Sequence, residues 1–121
     1  MQIPRPSDEV KDFFRSVVPD APGVVIKPMF GNLGAFVNGN MFAGLYGSSI
    51  GIRLPDADTM AKLRAVEGTA PYGPPERPMG GYIALPEEWS SRPERVTEWM
   101  QIALSQVGQL PPKQPTPRKK G

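Results

Sequence analysis

The pair Asn38-Gly39 separates two short apolar segments, LGAFV at residues 33–37 and NMFAGLY at residues 40–46. A type I′ turn needs positive φ at both central residues, and Asn-Gly adopts that conformation at low cost. A second turn, GSS, precedes IGIRL at residues 50–54, where Ile50, Ile52 and Leu54 fall on one face. Residues 33–54 therefore predict a meander of three antiparallel strands.

Glycines are frequent in this part of the chain, which raises the question of a phosphate-binding loop or an RNA-binding strand. No Gly-Lys pair precedes a helix, and the glycine-rich segment is followed by strands, so neither a P-loop nor a dinucleotide-binding motif is present. Only AFV at residues 35–37 keeps its place in the RNA-recognition octamer. One Phe on a strand is too little for a stacking platform, which needs two or three exposed aromatic rings.

The first helix is predicted to begin at Ser7, whose side chain can cap it, with Asp8 and Glu9 in the first turn. Pro19 ends it. Its apolar residues recur with helical spacing and predict one buried stripe: Val10, Phe13, Phe14, Val17 and Val18.

Two more helices follow from similar signals. Asp56 or Asp58 can cap a helix that ends near Gly68, and Ser91 begins a capping-box sequence, SRPE, before a third helix that ends near Gly108. Segments GVVIK at residues 23–27 and GYIAL at residues 81–85 are predicted strands, and Pro28 restricts the first to an edge or an end of the sheet. Residues 69–80 are predicted to be a proline-rich loop.

The order is α-β-β-β-β-α-β-α, which indicates an α+β fold with a mainly antiparallel sheet of about five strands and three helices. We expect residues 1–6 to be an extended lead-in, residues 7–108 to form one domain, and residues 109–121 to be a disordered, basic, proline-rich tail.

Composition limits the chemistry. The 121 residues include no cysteine and no histidine, so the usual nucleophile, general base and transition-metal ligand are missing. No carboxylate cluster has the spacing of a calcium loop. We therefore expect no enzyme activity, no metal and no cofactor. The N-terminus has no signal-peptide pattern and no apolar run could span a membrane, so a cytoplasmic location is expected.

Positive charge is concentrated at the C-terminus, in Lys113, Arg118, Lys119 and Lys120. Without these four, ten basic and twelve acidic residues leave a net charge of −2. A solvated, disordered tail explains this run of basic residues. The alternative function that these residues suggest is nucleic-acid binding through the tail.

Three further basic residues attract interest, Lys27 and Arg53 within strands and Arg77 in the proline-rich loop. They could form a positively charged site on one face of the sheet, including a small-molecule site around Arg53, Arg77 and Tyr82. The alternative is that they extend over the sheet edge and pair with Glu76, Glu87 or Asp56.

The sequence resembles the amino-terminal domain of TfoX/Sxy-type proteins, bacterial regulators of natural competence. The resemblance covers about residues 8–105 and lies in KPMFGNLGAFVNGNMFAGLYGSSIGIRL and RPMGGYIALPEEW. The matching positions are Lys27, Met29, Phe30, Gly31, Gly34, Phe36, Met41, Phe42, Ala43, Arg53, Arg77, Pro78, Met79, Gly81 and Tyr82. The helical second domain of the full-length regulators has no counterpart in this sequence.

The resemblance implies a secretion-chaperone-like α+β architecture and regulation through protein partners. The short, glycine-rich meander leads us to expect that a sheet face or an edge strand dimerises or docks a partner. The residues expected on that surface are Lys27, Met29, Phe30, Arg53, Arg77, Met79 and Tyr82. One alternating set of Met and Phe side chains should face the core, and the other set should be exposed or covered by a partner. Phe36 and Phe42 are expected to be buried either within one chain or at an interface between two.

Overall fold

The fold was analysed in a computed structural model that describes residues 7–29, 32–74 and 76–111. The predicted lead-in at residues 1–6, Phe30, and the four basic tail residues all lie outside the described residues. The helices are α1 (Asp8–Val17), α2 (Ala57–Arg64) and α3 (Pro93–Gly108), with a 3₁₀ helix at Glu87–Ser91. The strands are β1 (Val24–Met29), β2 (Asn32–Val37), β3 (Asn40–Tyr46), β4 (Ser49–Arg53), β5 (Ala70–Pro71) and β6 (Tyr82–Ala84).

The described strands form one antiparallel sheet with the order β1-β2-β3-β4-β6-β5. The α+β prediction is confirmed, and the sheet has six strands where about five were expected. The additional strand is β5, inside the segment predicted to be a loop. Ala70 and Pro71 pair with Ala84 and Ile83, and a strand of two residues leaves no periodic pattern in the sequence.

The turns of the meander follow their glycine signals. Asn38 and Gly39 have φ of 52° and 82°, as a type I′ turn requires. Gly47, with φ of 63°, opens the β3–β4 turn, and its N–H donates to the side-chain oxygen of buried Asn32 at 2.9 Å. This bond fixes the start of β2 to the turn between the next two strands.

A β-bulge interrupts the pairing of β2 with β3. Ala35 pairs with Ala43 and Phe36 pairs with Met41, so Phe42 is the additional residue on β3. A bulge brings consecutive side chains toward the same face. Phe42 and Ala43 are accordingly both fully buried in the core, while Phe36 and Met41 lie on the opposite face.

The core lies between one face of the sheet, called the inner face here, and the helices. Helix α3 packs against β2, β3 and β4 and also contacts α1. The most buried large side chains are Phe14, Phe42, Ile52, Leu63, Met100, Val17, Val96 and Val107.

Helix starts agree with the sequence at two positions and differ at a third, and α2 ends at Arg64, before the end predicted near Gly68. Ser7 caps α1 by accepting the N–H of Val10, and Asp56 caps α2. The capping box predicted at Ser91 is wrong, because Ser91 ends the 3₁₀ helix and its hydroxyl donates to the carbonyl of Glu88. Helix α3 instead begins at Pro93 after Arg92, which provides no side-chain cap.

The Asp56 cap also joins two helices. The carboxylate accepts hydrogen bonds from the Thr59 hydroxyl at 2.7 Å and the Thr59 N–H at 2.9 Å. The side chain of Gln106 on α3 accepts from the Asp56 N–H and donates to the Thr59 hydroxyl. The hydrogen bonds from Thr59, hydroxyl first, lower the pKa of Asp56 below its ordinary 3.8.

A lowered carboxyl pKa contributes stability above the unfolded pKa and loses it as the pH falls through the folded pKa. We therefore expect Asp56→Asn, which keeps a capping side chain, to lose less stability than the wild type on acidification below about pH 4. Urea unfolding at a series of acidic pH values measures this, with Asp58→Asn as the control in the same turn. An Asp56→Asn profile parallel to that of the wild type would contradict the assignment.

None of the helices in the described residues has both the length and the apolar character needed to cross a membrane.

Candidate functional site

The sheet face opposite the helices, called the outer face here, carries most of the candidate site. Side chains alternate along strands, and the register places one alternating set from five strands together on this face. The set consists of Val25 and Lys27 on β1, Gly34 and Phe36 on β2, Met41, Gly44 and Tyr46 on β3, Gly51 and Arg53 on β4, and Tyr82 on β6.

The centre of the outer face is a row of glycines covered by one tyrosine. Gly34, Gly44 and Gly51 are register partners across β2, β3 and β4. Tyr72, in the connection between β5 and β6, lies over this row and is only 4% exposed. A Cβ on Gly51 would lie 2.2 Å from the Tyr72 ring, and one on Gly44 would lie 2.7 Å from the hydroxyl oxygen. The absence of side chains at Gly44 and Gly51 is therefore what allows the ring to lie against the sheet.

Two further tyrosines surround the ring. Tyr46 contacts it edge-on at 6.4 Å between centroids, and Tyr82 lies at 5.8 Å with a tilt of 30°. The Tyr82 hydroxyl donates to the carbonyl of Met41 at 3.3 Å. Burial raises the pKa of Tyr72 far above its ordinary value, and burial also raises the pKa of Tyr82 against the opposing charge of Arg53. Both hydroxyls are therefore protonated at neutral pH, and the Tyr82 hydroxyl acts as a hydrogen-bond donor.

Cations flank the tyrosines without acidic partners among the described residues. The Lys27 ammonium lies 5.3 Å from the centre of the Phe36 ring, a cation–π contact. Within the described ranges the ion pair found is Arg15–Asp12, on α1. The alternative that Lys27, Arg53 and Arg77 pair with described carboxylates such as Glu76, Glu87 or Asp56 is therefore wrong.

Apolar exposure is concentrated at the same surface. The large hydrophobic side chains exposed in the described part of the chain are Val25, at 48%, and Met79, at 37%. Val25 is a register partner of Phe36, which is itself opposite Met41, so the three form an apolar strip across β1 to β3. Met79 lies in the β5–β6 connection and donates its N–H to the carbonyl of Tyr72 at 2.8 Å.

The structure brings together some of the residues predicted from the sequence. Lys27, Arg53 and Tyr82 share the outer face, and Met79 borders it. Arg77 is exposed in a turn of the β5–β6 connection, where its N–H donates to the carbonyl of Pro74. The Met29 side chain and Phe30 lie outside the described part, as do Lys113, Arg118, Lys119 and Lys120 of the tail.

Sequence reasoning missed four residues of this face, Phe36, Met41, Tyr46 and Tyr72. The first three could have been found from the period-two alternation, had the bulge at Phe42 been recognised, because the bulge moves Met41 to the outer face. Tyr72 follows a two-residue strand in a proline-rich segment, and no local pattern indicates where its ring lies.

The two edges of the sheet are poorly suited to adding a strand. At β1 the Val24 N–H donates to the carbonyl of Ala21, so alternation directs the backbone groups of Val24, Ile26 and Pro28 outward. The N–H of Val24 already donates to Ala21, and Pro28 has no N–H. Of these three residues, only Ile26 can therefore donate a backbone hydrogen bond outward from the β1 edge. The opposite edge, β5, has two residues, one of which is Pro71. Proline at both edges limits backbone pairing with another chain.

Two of the clefts beside the sheet are lined in part by residues of an α-helix. One, of about 460 Å³, is lined by Phe13, Ile50 and Trp89, with Glu9 and Glu87 among its polar residues. The other, of about 450 Å³, lies between α2 and the β5–β6 connection and includes Arg64, Met79 and Tyr82. Of the predicted small-molecule set of Arg53, Arg77 and Tyr82, this second cleft is lined by Tyr82 and by neither arginine. In the described part of the chain no group of three carboxylates could hold a metal ion.

Comparison with protein families gives a match to the TfoX N-terminal domain over residues 17–107. The chain belongs to the TfoX N-terminal domain family. The match extends from the end of α1 to the last turn of α3 and so includes every described strand. A comparison with curated protein sequences gives no match.

The match places the chain with a regulator-type module and is in line with the resemblance noted in the sequence. Both motifs of that resemblance contribute residues to the outer face. Lys27 and Arg53 belong to the first motif, and Tyr82 belongs to the second.

Proposed function

We propose that this TfoX-N domain is a non-enzymatic interaction module of a regulatory system, and that it docks a protein partner on its outer face. The observation that carries the proposal is the composition of that face. Both exposed large apolar side chains of the described residues, Val25 and Met79, occur there beside cations that have no described acidic partner. Surfaces that combine exposed apolar side chains with a polar rim are typical of interaction sites.

The face, rather than an edge, is the better candidate for docking. Partner strands add to an edge through backbone hydrogen bonds, and the prolines at β1 and β5 remove donors from both edges. Side-chain contacts from the outer face of β1, β2, β3, β4 and β6 do not depend on those backbone donors. The proposed binding mode is therefore contact between side chains across the face.

The proposal can be tested by comparing the proteins that co-purify with the tagged wild type, with Val25→Asp and with Gln101→Asp in cells of the source organism. Val25 is on the outer face, and Gln101 is an exposed residue of α3 on the other side of the molecule. We expect Val25→Asp to lose a partner that Gln101→Asp retains, because the new carboxylate interrupts the apolar strip. Size-exclusion chromatography with light scattering reports in parallel whether the chain self-associates. A strict monomer that retrieves no partner would contradict the proposal.

A further inference from the structure

We infer that the partner segment recognised by the outer face is acidic as well as apolar, with carboxylates that meet Lys27, Arg53 and the hydroxyl of Tyr72. This inference rests on the proposed docking function and adds the chemistry of the partner. The observations behind it are a solvent-reaching hydroxyl donor, two cations without a carboxylate partner among the described residues, and two exposed apolar side chains on one surface.

The first observation is the hydroxyl of Tyr72. Tyr72 is only 4% exposed, and its hydroxyl, which makes no hydrogen bond to any described residue, is the part of the side chain that reaches solvent, because no buried side-chain oxygen of the described residues lacks a partner. It lies above Gly44, with the row of glycines continuing across β2 toward Lys27. A protonated phenol in this position is a donor directed along the outer face. A carboxylate is the strongest acceptor that a protein partner can provide for it.

The second observation is the arrangement of charge. Lys27 is the register partner of Gly34 and so stands at the β1 end of the glycine row. Arg53 is two residues from Gly51 on the same face of β4 and lies beside Tyr82. No described carboxylate lies within ion-pair distance of either cation. Lys27 on β1 and Arg53 on β4 therefore place positive charge at two points of the outer face, which favours anionic groups on the segment that covers it.

The third observation is that the surface is not purely polar. Val25 and Met79 expose 48% and 37% of their areas on opposite sides of the tyrosines. Covering them requires apolar atoms from the partner, at roughly 25 cal/mol for each Å² removed from water. A segment in which acidic and apolar side chains alternate would satisfy the donor, the cations and these two side chains together.

Other occupants fit this surface less well. A second copy packed face to face would place Lys27 and Arg53 of one copy beside Lys27 and Arg53 of the other, and like charges repel. A polynucleotide binds mainly through neutralisation of its phosphates, whereas the chain outside its last nine residues carries a net charge of −2. The aromatic rings of the face are half-buried or buried, which leaves little ring surface on which bases could stack.

The test uses the full wild-type chain and two labelled peptides, acetyl-DLDFD-amide and its neutral counterpart acetyl-NLNFN-amide, in a fluorescence anisotropy titration. We expect the acidic peptide to bind at least about tenfold more tightly than the neutral one at low salt, with the preference declining as salt increases. Lys27→Gln and Arg53→Gln should each weaken binding of the acidic peptide by about three- to tenfold. Tyr72→Phe keeps the ring and removes the hydroxyl, and it should weaken binding about fivefold.

Arg95→Gln is the matched control, because Arg95 lies over the ring of Trp89, a core residue outside the outer-face set, and its replacement should leave binding unchanged. Circular dichroism verifies that each variant is folded. Equal binding of the two peptides, or no loss in Lys27→Gln and Arg53→Gln, would overturn the inference. Tighter binding of a labelled (dT)20 oligonucleotide than of the acidic peptide would also overturn it, in favour of a nucleic-acid partner.

The failure of this inference can be distinguished from failure of the docking proposal. If Val25→Asp abolishes partner capture while the peptides show no preference for charge, the outer face docks a partner whose contacts are not acidic. If neither Val25→Asp nor the peptides show any effect, the docking proposal itself is wrong.

Discussion

Gly51→Ala is expected to expel the Tyr72 ring from the outer face and to lower the free energy of unfolding by about 2–4 kcal/mol. An added Cβ would lie 2.2 Å from a ring carbon, and no flexible end of the Tyr72 side chain can absorb that overlap. The ring would have to leave the surface where it is 96% buried, and its contacts with Tyr46 and Tyr82 would be lost. Urea unfolding measures the change in stability, and the aromatic NMR signals of Tyr72 report the position of the ring.

Two controls isolate the clash. Gly80→Ala adds the same methyl group where nothing lies within 4 Å, so its cost should be about 1 kcal/mol or less. In a Tyr72→Ala background, Gly51→Ala should cost much less than in the wild type, because the ring that it displaces is absent. An undiminished cost in that background would show that the strain arises elsewhere.

Phe42→Ala should cause the largest loss of stability, about 3–5 kcal/mol in the free energy of unfolding. Phe42 is fully buried in the core at the bulge, where β3 turns two consecutive side chains toward the helices. Truncation would leave a cavity between the sheet and the helices that neighbouring side chains could fill only in part. Urea unfolding followed by circular dichroism measures the loss.

Phe36→Ala provides the comparison, since Phe36 is half-buried on the outer face one strand away. We expect it to cost less than half as much as Phe42→Ala and to leave the cooperativity of unfolding unchanged. Equal costs for the two substitutions would mean that both faces of the sheet contribute equally to the core, which would contradict the division into inner and outer faces.

The elements with strong local signals are the ones that the sequence predicts well. Asn38-Gly39 forms the expected turn, Ser7 caps α1, and the stripe that includes Phe14 and Val17 is buried. The capping box at Ser91 failed because a 3₁₀ helix formed by the preceding residues takes up that serine. A cap motif describes a preference of a few residues, and the packing of Trp89 into the core overrides it here.

The candidate site is predicted less completely, since it depends on contacts between distant residues. Lys27, Arg53 and Tyr82 could be named from the sequence, and the strand register then places them on one face. The bulge at Phe42 and the position of the Tyr72 ring come from packing across strands. Neither the bulge nor the position of the ring is indicated by the local sequence.

The most direct measurement of the central claim is site-specific photo-crosslinking in cells of the source organism. A photoreactive residue is placed at Val25 on the outer face, or at Gln101 on α3 as the reference position, and the adducts are identified by mass spectrometry. Docking on the outer face predicts a defined protein adduct from position 25 that is absent from position 101. An adduct from position 101 alone, or the same adducts from both positions, would contradict it.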